Sequence, residues 1–388
     1  MIQDKVPLCY APFIGMYATG YDQYAPCCVA KKDTYKNVMP NDYWTSKEMQ
    51  AMREQVLNGK WPDKCSFCKN KAEKNLKDER WMWDKRFSQL PSQLNVDKID
   101  LDIVTGNSTL APTYLDYRPS NKCNLKCRMC VPNASSQITT EFQLHENMQQ
   151  WFSAPNKTVT NFEDFKLFAS NAKLTNIKIL GGEPTIDPLV LDFLEAIIEN
   201  YETLPTLRFT TNGTNLNRRF RNIMEKFPDI HVQFSVDAVN NVYDYIRSNG
   251  NWEKTKSIIL ELFESNLANT YGFNVVLMPY NIFHLTDLLD WFVELELLGY
   301  DFDVFYDASE GYTTELNAIL PEHLQGAKDM LTEWQRNNSY DISSILKILD
   351  STEFDKLSFD RFINYNNSLD TIRNTTLLTL DERFKHYV

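Results

Sequence analysis

The chain has 388 residues, 43% of them hydrophobic, with 40 basic against 52 acidic side chains and a formal net charge of −12. This length and apolar content allow a large core and more than one domain, while the acidic balance argues against a general phosphate-backbone binder, which needs a basic face. No apolar run approaches membrane-spanning length and the opening MIQDKVPLCY lacks a signal-peptide core, so a cytoplasmic protein without membrane contact is expected.

Residues 1–86 hold five of the eight cysteines: Cys9, the tandem Cys27-Cys28, and the C-x2-C pair Cys65 and Cys68. A short strand pair is predicted through 13–24, turning near Gly20. A helix is predicted over 46–57, ending near Asn58-Gly59, and a charged helical stretch over 70–86. In a reducing compartment such clustering argues for metal rather than disulfides. Cys9, Cys27, Cys65 and Cys68 offer four thiolates, a set that zinc and an iron–sulfur cubane both accept. Cys28 reads as a small buried hydrophobe. Residues 87–111, punctuated by Pro, Ser, Asn and Gly, read as a linker and domain boundary.

From Thr113 onward, strand-like and helix-like segments alternate. Strands are predicted at 113–118, 176–180, 206–211, 230–236, 272–278 and 301–306. Helices are predicted at 134–152, 189–199, 217–226, 252–265, 284–298 and 321–335. This rhythm argues for a parallel sheet or barrel over 112–310, with its chemistry at the C-terminal strand ends. Residues 311–388 read as a helical extension able to cover the open side.

The first strand leads into NKCNLKCRMC, with Cys123, Cys127 and Cys130. Thiolates are soft ligands suited to iron–sulfur clusters, zinc and copper. An ordinary electron-transfer cubane takes four cysteines, so three close ones leave an iron open to a ligand that is not protein. A zinc site lacking its fourth ligand is the plainer alternative. Later strand ends carry Gly181-Gly182-Glu183-Pro184, Thr211-Asn212-Gly213 and Ser235-Val236-Asp237, followed by Arg247 in YDYIRSN. Taken singly, the first two are also ordinary turns, and Arg247 is also a surface ion pair. Leu277 and Met278 suit a ligand pocket or a core equally, and Asn281 is a weak polar candidate. His145, His231, His284 and His323 show no ligand spacing.

The C-x3-C-x2-C loop, followed about fifty residues later by GGEP, resembles the radical SAM enzymes. The resemblance implies an α/β fold, a partial (β/α)6 TIM-like barrel. It implies a [4Fe–4S] cluster on Cys123, Cys127 and Cys130, whose open iron is chelated by S-adenosylmethionine (SAM). Reductive cleavage of SAM then gives a 5′-deoxyadenosyl radical that abstracts hydrogen from a substrate. Gly181, Gly182, Glu183 and Pro184 would hold the methionine end, the glycines letting backbone approach the ligand and Glu183 accepting from the ammonium. Asn212, Ser235 and Arg247 would contact SAM, Arg247 as a clamp on its carboxylate. Met129 stands where the family often has an aromatic residue, which implies an altered adenine contact.

The N-terminal segment resembles the twitch domain, the short relative of the SPASM domain, although such domains commonly follow the barrel. This implies a second, auxiliary [4Fe–4S] cluster on Cys9, Cys27, Cys65 and Cys68, with Cys27 favoured over Cys28 because it follows Pro26. An electron donor such as flavodoxin or ferredoxin is implied as well. Relatives of this kind often modify peptides or proteins, and others act on small molecules such as a sugar or nucleoside. A non-catalytic iron–sulfur or zinc-binding protein is the remaining class, and fold alone does not choose among them.

Overall fold

The computed structural model describes residues 7–35, 38–74, 77–89, 111–152, 159, 161–309 and 313–388. One sheet organises them. Its strands are β1 (Gly15–Thr19), β2 (Gln23–Ala25), β3 (Asp33–Thr34), β4 (Tyr114–Arg118), β6 (Asn176–Ile179), β7 (Thr206–Thr211), β8 (Ile230–Ser235), β10 (Thr270–Leu277) and β11 (Asp303–Ala308), and the two-residue β5 (Lys126–Cys127) and β9 (Arg247–Ser248) form a separate ribbon. The spatial order is β11-β10-β8-β7-β6-β4-β1-β2-β3. From β11 to β1 every pairing is parallel, and β2 and β3 add an antiparallel edge.

Residue alternation shows which face of this open barrel sheet is covered by helices. Parallel strands covered on both faces read as continuous apolar runs. Here β7 buries Leu207, Phe209 and Thr211 and leaves Thr206, Arg208 and Thr210 half-buried. β8 alternates the same way, with Ile230, Val232 and Phe234 inside, and β6 buries Ile177 and Ile179. The apolar sides join one core with helix residues such as Phe193, Phe220, Ile259 and Phe292. On β6, β7 and β8 the other side is polar and turns away from this core, toward the concave interior.

The six expected barrel strands all form. The N-terminal segment departs from expectation, because β1 pairs along its whole length with β4, and Met16, Ala18, Trp44, Met49 and Met52 share the core of Leu115 and Phe209. The boundary expected at 87–111 therefore divides neither sheet nor core; residues 90–110 of that stretch lie outside the described residues.

The helix expected over 134–152 is shorter, Ser136–Leu144, ending where His145 turns extended, with a 3-10 turn after it. The charged stretch 70–86 resolves into two helices, Ser66–Glu73 and Arg80–Ser88. A helix at Phe162–Asn171, unforeseen in the sequence reading, packs Phe165 against Tyr117. Past the barrel, helix Lys356–Arg373 returns to the loop that follows β4. No helix among the described residues is long and apolar enough to cross a membrane.

Candidate active site

The cysteine loop begins where β4 ends, and local hydrogen bonds set its path. Asn121 Nδ2 donates to the Pro132 carbonyl at 2.9 Å and to Thr139 Oγ at 3.2 Å, tying the loop's start to its finish. Ser135 caps helix Ser136–Leu144 by accepting from Ile138 N and donates to the Leu125 carbonyl. In the middle, Cys127 lies directly opposite Arg247 in the β5–β9 ribbon. The three cysteines pack in one small cluster with Leu125 and Met129.

Donors converge on these sulfurs. Leu125 N–H points to Cys123 Sγ at 3.5 Å, and Asn212 Nδ2 approaches the same sulfur at 4.0 Å. Arg247 Nη1 lies 3.7 Å from Cys127 Sγ. Burial raises all three thiols, Cys127 to about 11 even with Arg247 beside it. Three thiolates persist in such a site only with a cationic metal centre to hold them. The donor set therefore fits an iron–sulfur cluster: three soft ligands, and hydrogen-bond donors for its sulfur.

Gly181-Gly182 rests on the start of this loop. Gly182 N–H donates to the Ser120 carbonyl at 3.2 Å and Glu183 N–H to the Lys122 carbonyl at 2.7 Å. A Cβ on Gly182 would stand 2.1 Å from Lys122 O, and one on Gly181, whose φ is +129°, 2.6 Å from Ser120 O. These glycines let the strand end approach the chain's own cysteine loop closely.

Glu183 is anchored at the same strand end. It is 1% exposed, and its carboxylate already accepts from Thr185 N, Thr185 Oγ, Thr211 Oγ and Asn212 N at 2.6–3.1 Å. Those bonds fasten the end of β7 and so aim Asn212, whose Oδ1 accepts from Thr214 while its Nδ2 donates to Asn124. Burial still leaves the Glu183 carboxyl above its ordinary range. Pro184 opens the 3-10 turn that Glu183 caps.

Arg247 is no surface ion pair. Its Nη2 binds Asp237 Oδ2 at 2.7 Å with both side chains buried, and its Nε has no hydrogen-bond partner. Ser235, at the end of β8, is half-buried on the concave side. Leu277 and Met278 are core. Asn281 is structural: its amide bridges the Asp237 and Val276 carbonyls and Met278 N–H.

One residue inside the loop escaped the sequence reading. Arg128 is 0% exposed and donates to the Tyr245 carbonyl, Asn366, Asp370 and Thr375 at 2.7–3.0 Å. Its guanidinium stacks 3.6 Å from the Tyr245 ring, and its carbonyl accepts from Tyr365 OH. Helix Lys356–Arg373 thereby clamps the loop from outside, with Tyr365 and Leu369 in a core that Cys130 also touches. A lone arginine among cysteines was the available signal, but its partners are too distant in sequence to be inferred.

The N-terminal thiols share a pocket. Cys9, Cys27, Cys65 and Cys68 line one pocket, walled by Trp61, Trp83 and Arg80, and Cys28 is not among its lining residues. Burial raises Cys9 to about 12 and Cys65 to about 11, with neighbouring thiols adding to the effect. Cys28 is only partly buried. Among the described residues, no three His, Cys, Asp or Glu stand close enough to grip a single metal ion; a cubane spreads its cysteines over separate irons.

Residues 117–292 match the family model of the radical SAM superfamily. Over that stretch the chain is similar to the radical SAM enzymes. It is 32% identical over 106 residues to "Molybdenum cofactor biosynthesis protein 1" of Homo sapiens, covering 27% of this chain and 15% of that protein. It is 30% identical over 133 residues to "GTP 3′,8-cyclase" of Campylobacter curvus, covering 33% and 35%. To "Sporulation killing factor maturation protein SkfB" of Bacillus subtilis it is 22% identical over 157 residues, covering 40% and 34%. The matches span well under two-thirds of these relatives' length. Among solved structures, native anSMEcpe with bound AdoMet aligns with TM-score 0.42 and 18% identity over 58% of this chain and 62% of that one. Streptococcus suis SuiB bound to precursor peptide SuiA aligns with TM-score 0.42 and 14% identity over 88% and 79%. The three-cysteine donor set of the loop fits the [4Fe–4S] cluster that this similarity suggests.

Proposed function

We propose that the chain is a radical SAM enzyme acting on a peptide or protein. The observation that carries the catalytic part is the buried convergence of Cys123, Cys127 and Cys130, with Asn212 and Arg247 donating toward two of their sulfurs. When bound, the cluster and SAM supply reductive cleavage of SAM to methionine and a 5′-deoxyadenosyl radical, which takes hydrogen from the substrate.

The chain's own residues seat and shield that chemistry. The three cysteines hold the metal. Gly181, Gly182 and Pro184 shape the strand end beside it, and Glu183 fixes Asn212 in place. Met129, Asn212 and Ser235 are the SAM-side candidates, and Arg247 supplies positive charge beside Cys127. The surrounding core keeps water away.

A second cubane on Cys9, Cys27, Cys65 and Cys68 belongs to the same reading, supported by their shared cavity. Together with the adjacent residues it forms a twitch-like auxiliary-cluster site. An electron donor such as flavodoxin or ferredoxin completes the reading, and eight free cysteines suit a reducing cytoplasm.

The relatives' names support two substrate classes. SkfB is a maturation protein, which favours a peptide; GTP 3′,8-cyclase favours a nucleotide-sized molecule as the second reading. Reduced, reconstituted protein incubated with SAM should form 5′-deoxyadenosine. Stimulation by peptides encoded near this gene supports the first class, and stimulation only by nucleotides replaces it with the second.

A further inference from the structure

The concave face of the barrel carries charge that the proposed chemistry does not use. Strand register puts Asp116, Lys178, Arg208 and His231 in one row across β4, β6, β7 and β8. The apolar neighbours Ile177, Ile179, Leu207 and Phe209 are in the outer core, so these polar side chains turn inward. Arg118 lies on the same side of β4, two residues beyond Asp116. Arg86, from helix Arg80–Ser88, reaches over the β4 residue Tyr114, its guanidinium 4.0 Å from the ring and its Nη2 donating to Tyr114 OH at 3.2 Å.

The balance there is positive in a chain that is strongly acidic. Asp116 is paired with Arg118 at 3.3 Å, and Asp229 with His231 at 3.3 Å and Thr206 at 2.7 Å. Lys178 has no hydrogen bond or ion pair among the described residues. Among the described residues Arg208 makes only a long bond to Asn176, at 3.5 Å. Burial, then the nearby Arg86, hold Arg208 below its ordinary range, with Tyr114 and Asp229 opposing. One strand over and two residues nearer the strand ends, Gln233 Oε1 is buried without a partner among the described residues. Crowded, partly desolvated cations without matching carboxylates cost stability, and supplying an anion relieves that cost.

Depth gives this wall a place in the chemistry. Lys178 precedes Gly181 by three residues and Arg208 precedes Asn212 by four, which at the strand rise is roughly 10 Å below those two residues. A molecule anchored by one end there extends up toward the cysteine loop.

We infer that Lys178, Arg208 and Arg86 form a subsite inside the barrel for an oxyanion of the substrate, a carboxylate or a phosphate. The inference deepens the enzymatic reading proposed above and rests on it for the word substrate. Arg guanidinium suits planar oxyanions and Lys adds a point charge. A carboxylate is what an acidic peptide would offer, and a phosphate is what a nucleotide would offer.

The test titrates anaerobically reconstituted full-length protein with sodium succinate and, separately, with inorganic phosphate, against sodium chloride at matched ionic strength. Melting temperature and SAM affinity are read together. One anion or both should raise the melting temperature saturably beyond chloride. Lys178→Gln and Arg208→Gln should each weaken that response at least fivefold while SAM affinity stays within twofold. Without added anion, each variant should melt at or above the parent, because a like charge has been removed. Response to succinate alone supports a carboxylate substrate, and to phosphate alone a phosphorylated one. A parent response no larger than with chloride, variants that respond like the parent, or variants that melt well below it would overturn the subsite. Anion binding in a protein that never cleaves SAM would uphold the subsite and remove the enzymatic reading instead.

Discussion

Arg247 and Cys127 face each other across the β5–β9 ribbon, with Nη1 3.7 Å from Sγ, while the same guanidinium holds Asp237 at 2.7 Å. The pair is buried, so removing the cation strands a carboxylate that also accepts from Val276 N–H. Breaking a buried ion pair from one side costs about 3–5 kcal/mol. Arg247→Gln should therefore lower the urea midpoint sharply, and Asp237→Asn in the same chain should recover part of the loss. A midpoint unchanged in Arg247→Gln would remove this pair from the support of the cysteine loop.

Gly182→Ala should displace the loop itself, because its Cβ would meet a backbone oxygen rather than a side chain able to swing aside. Iron bound at Cys123, Cys127 and Cys130 should fall with it. Gly326→Ala is the matched control. Gly326 lies inside helix Pro321–Asn337 with nothing within 4 Å of its would-be Cβ, and should gain about 0.5–1 kcal/mol. Full iron retention in Gly182→Ala would contradict the contact.

The clamp on the loop carries a pH signature. Glu141 accepts from Lys126 at 2.8 Å and from Arg373 at 2.6 Å, joining the loop to the C-terminal helix. Burial pushes its carboxyl up, but Arg373 and Lys126 outweigh burial and hold it below its ordinary 4.5. A depressed folded-state value means that its stabilisation is complete above about pH 4.5 and disappears as pH falls through the lower folded value. Glu141→Gln should flatten that part of the acid-unfolding curve. Identical acid profiles for parent and variant would show that the contact contributes nothing.

Much of this was legible in the sequence for identifiable reasons. Alternation in Thr206–Thr211 and Ile230–Ser235 announces strands with one covered face, and the Cys123 and Gly182 motifs mark the strand ends that meet. What stayed hidden depends on distant partners. β1 reads as half of a local hairpin, yet its longest pairing is with β4, about a hundred residues on. Arg128 and Asp370 meet only because helix Lys356–Arg373 folds back. The partners of Glu183 stayed hidden because Thr185 and Thr211 were unremarkable as letters.

In the N-terminal cavity, Cys27→Ser should lose the metal and Cys28→Ser should keep it, since only Cys27 lines the space shared with Cys9, Cys65 and Cys68. Two cubanes mean about eight irons per chain against four for one. Anaerobically purified protein with one zinc and about four irons would leave a structural zinc site there.

The most direct test of the central claim is 5′-deoxyadenosine formed from SAM by anaerobically reconstituted, dithionite-reduced protein. The parent should produce it. The variant with Cys123, Cys127 and Cys130 all changed to Ala should produce none while retaining about half the iron, on the count of two four-iron clusters. Production by that variant at the parent rate, or none by a fully iron-loaded parent, would contradict the account.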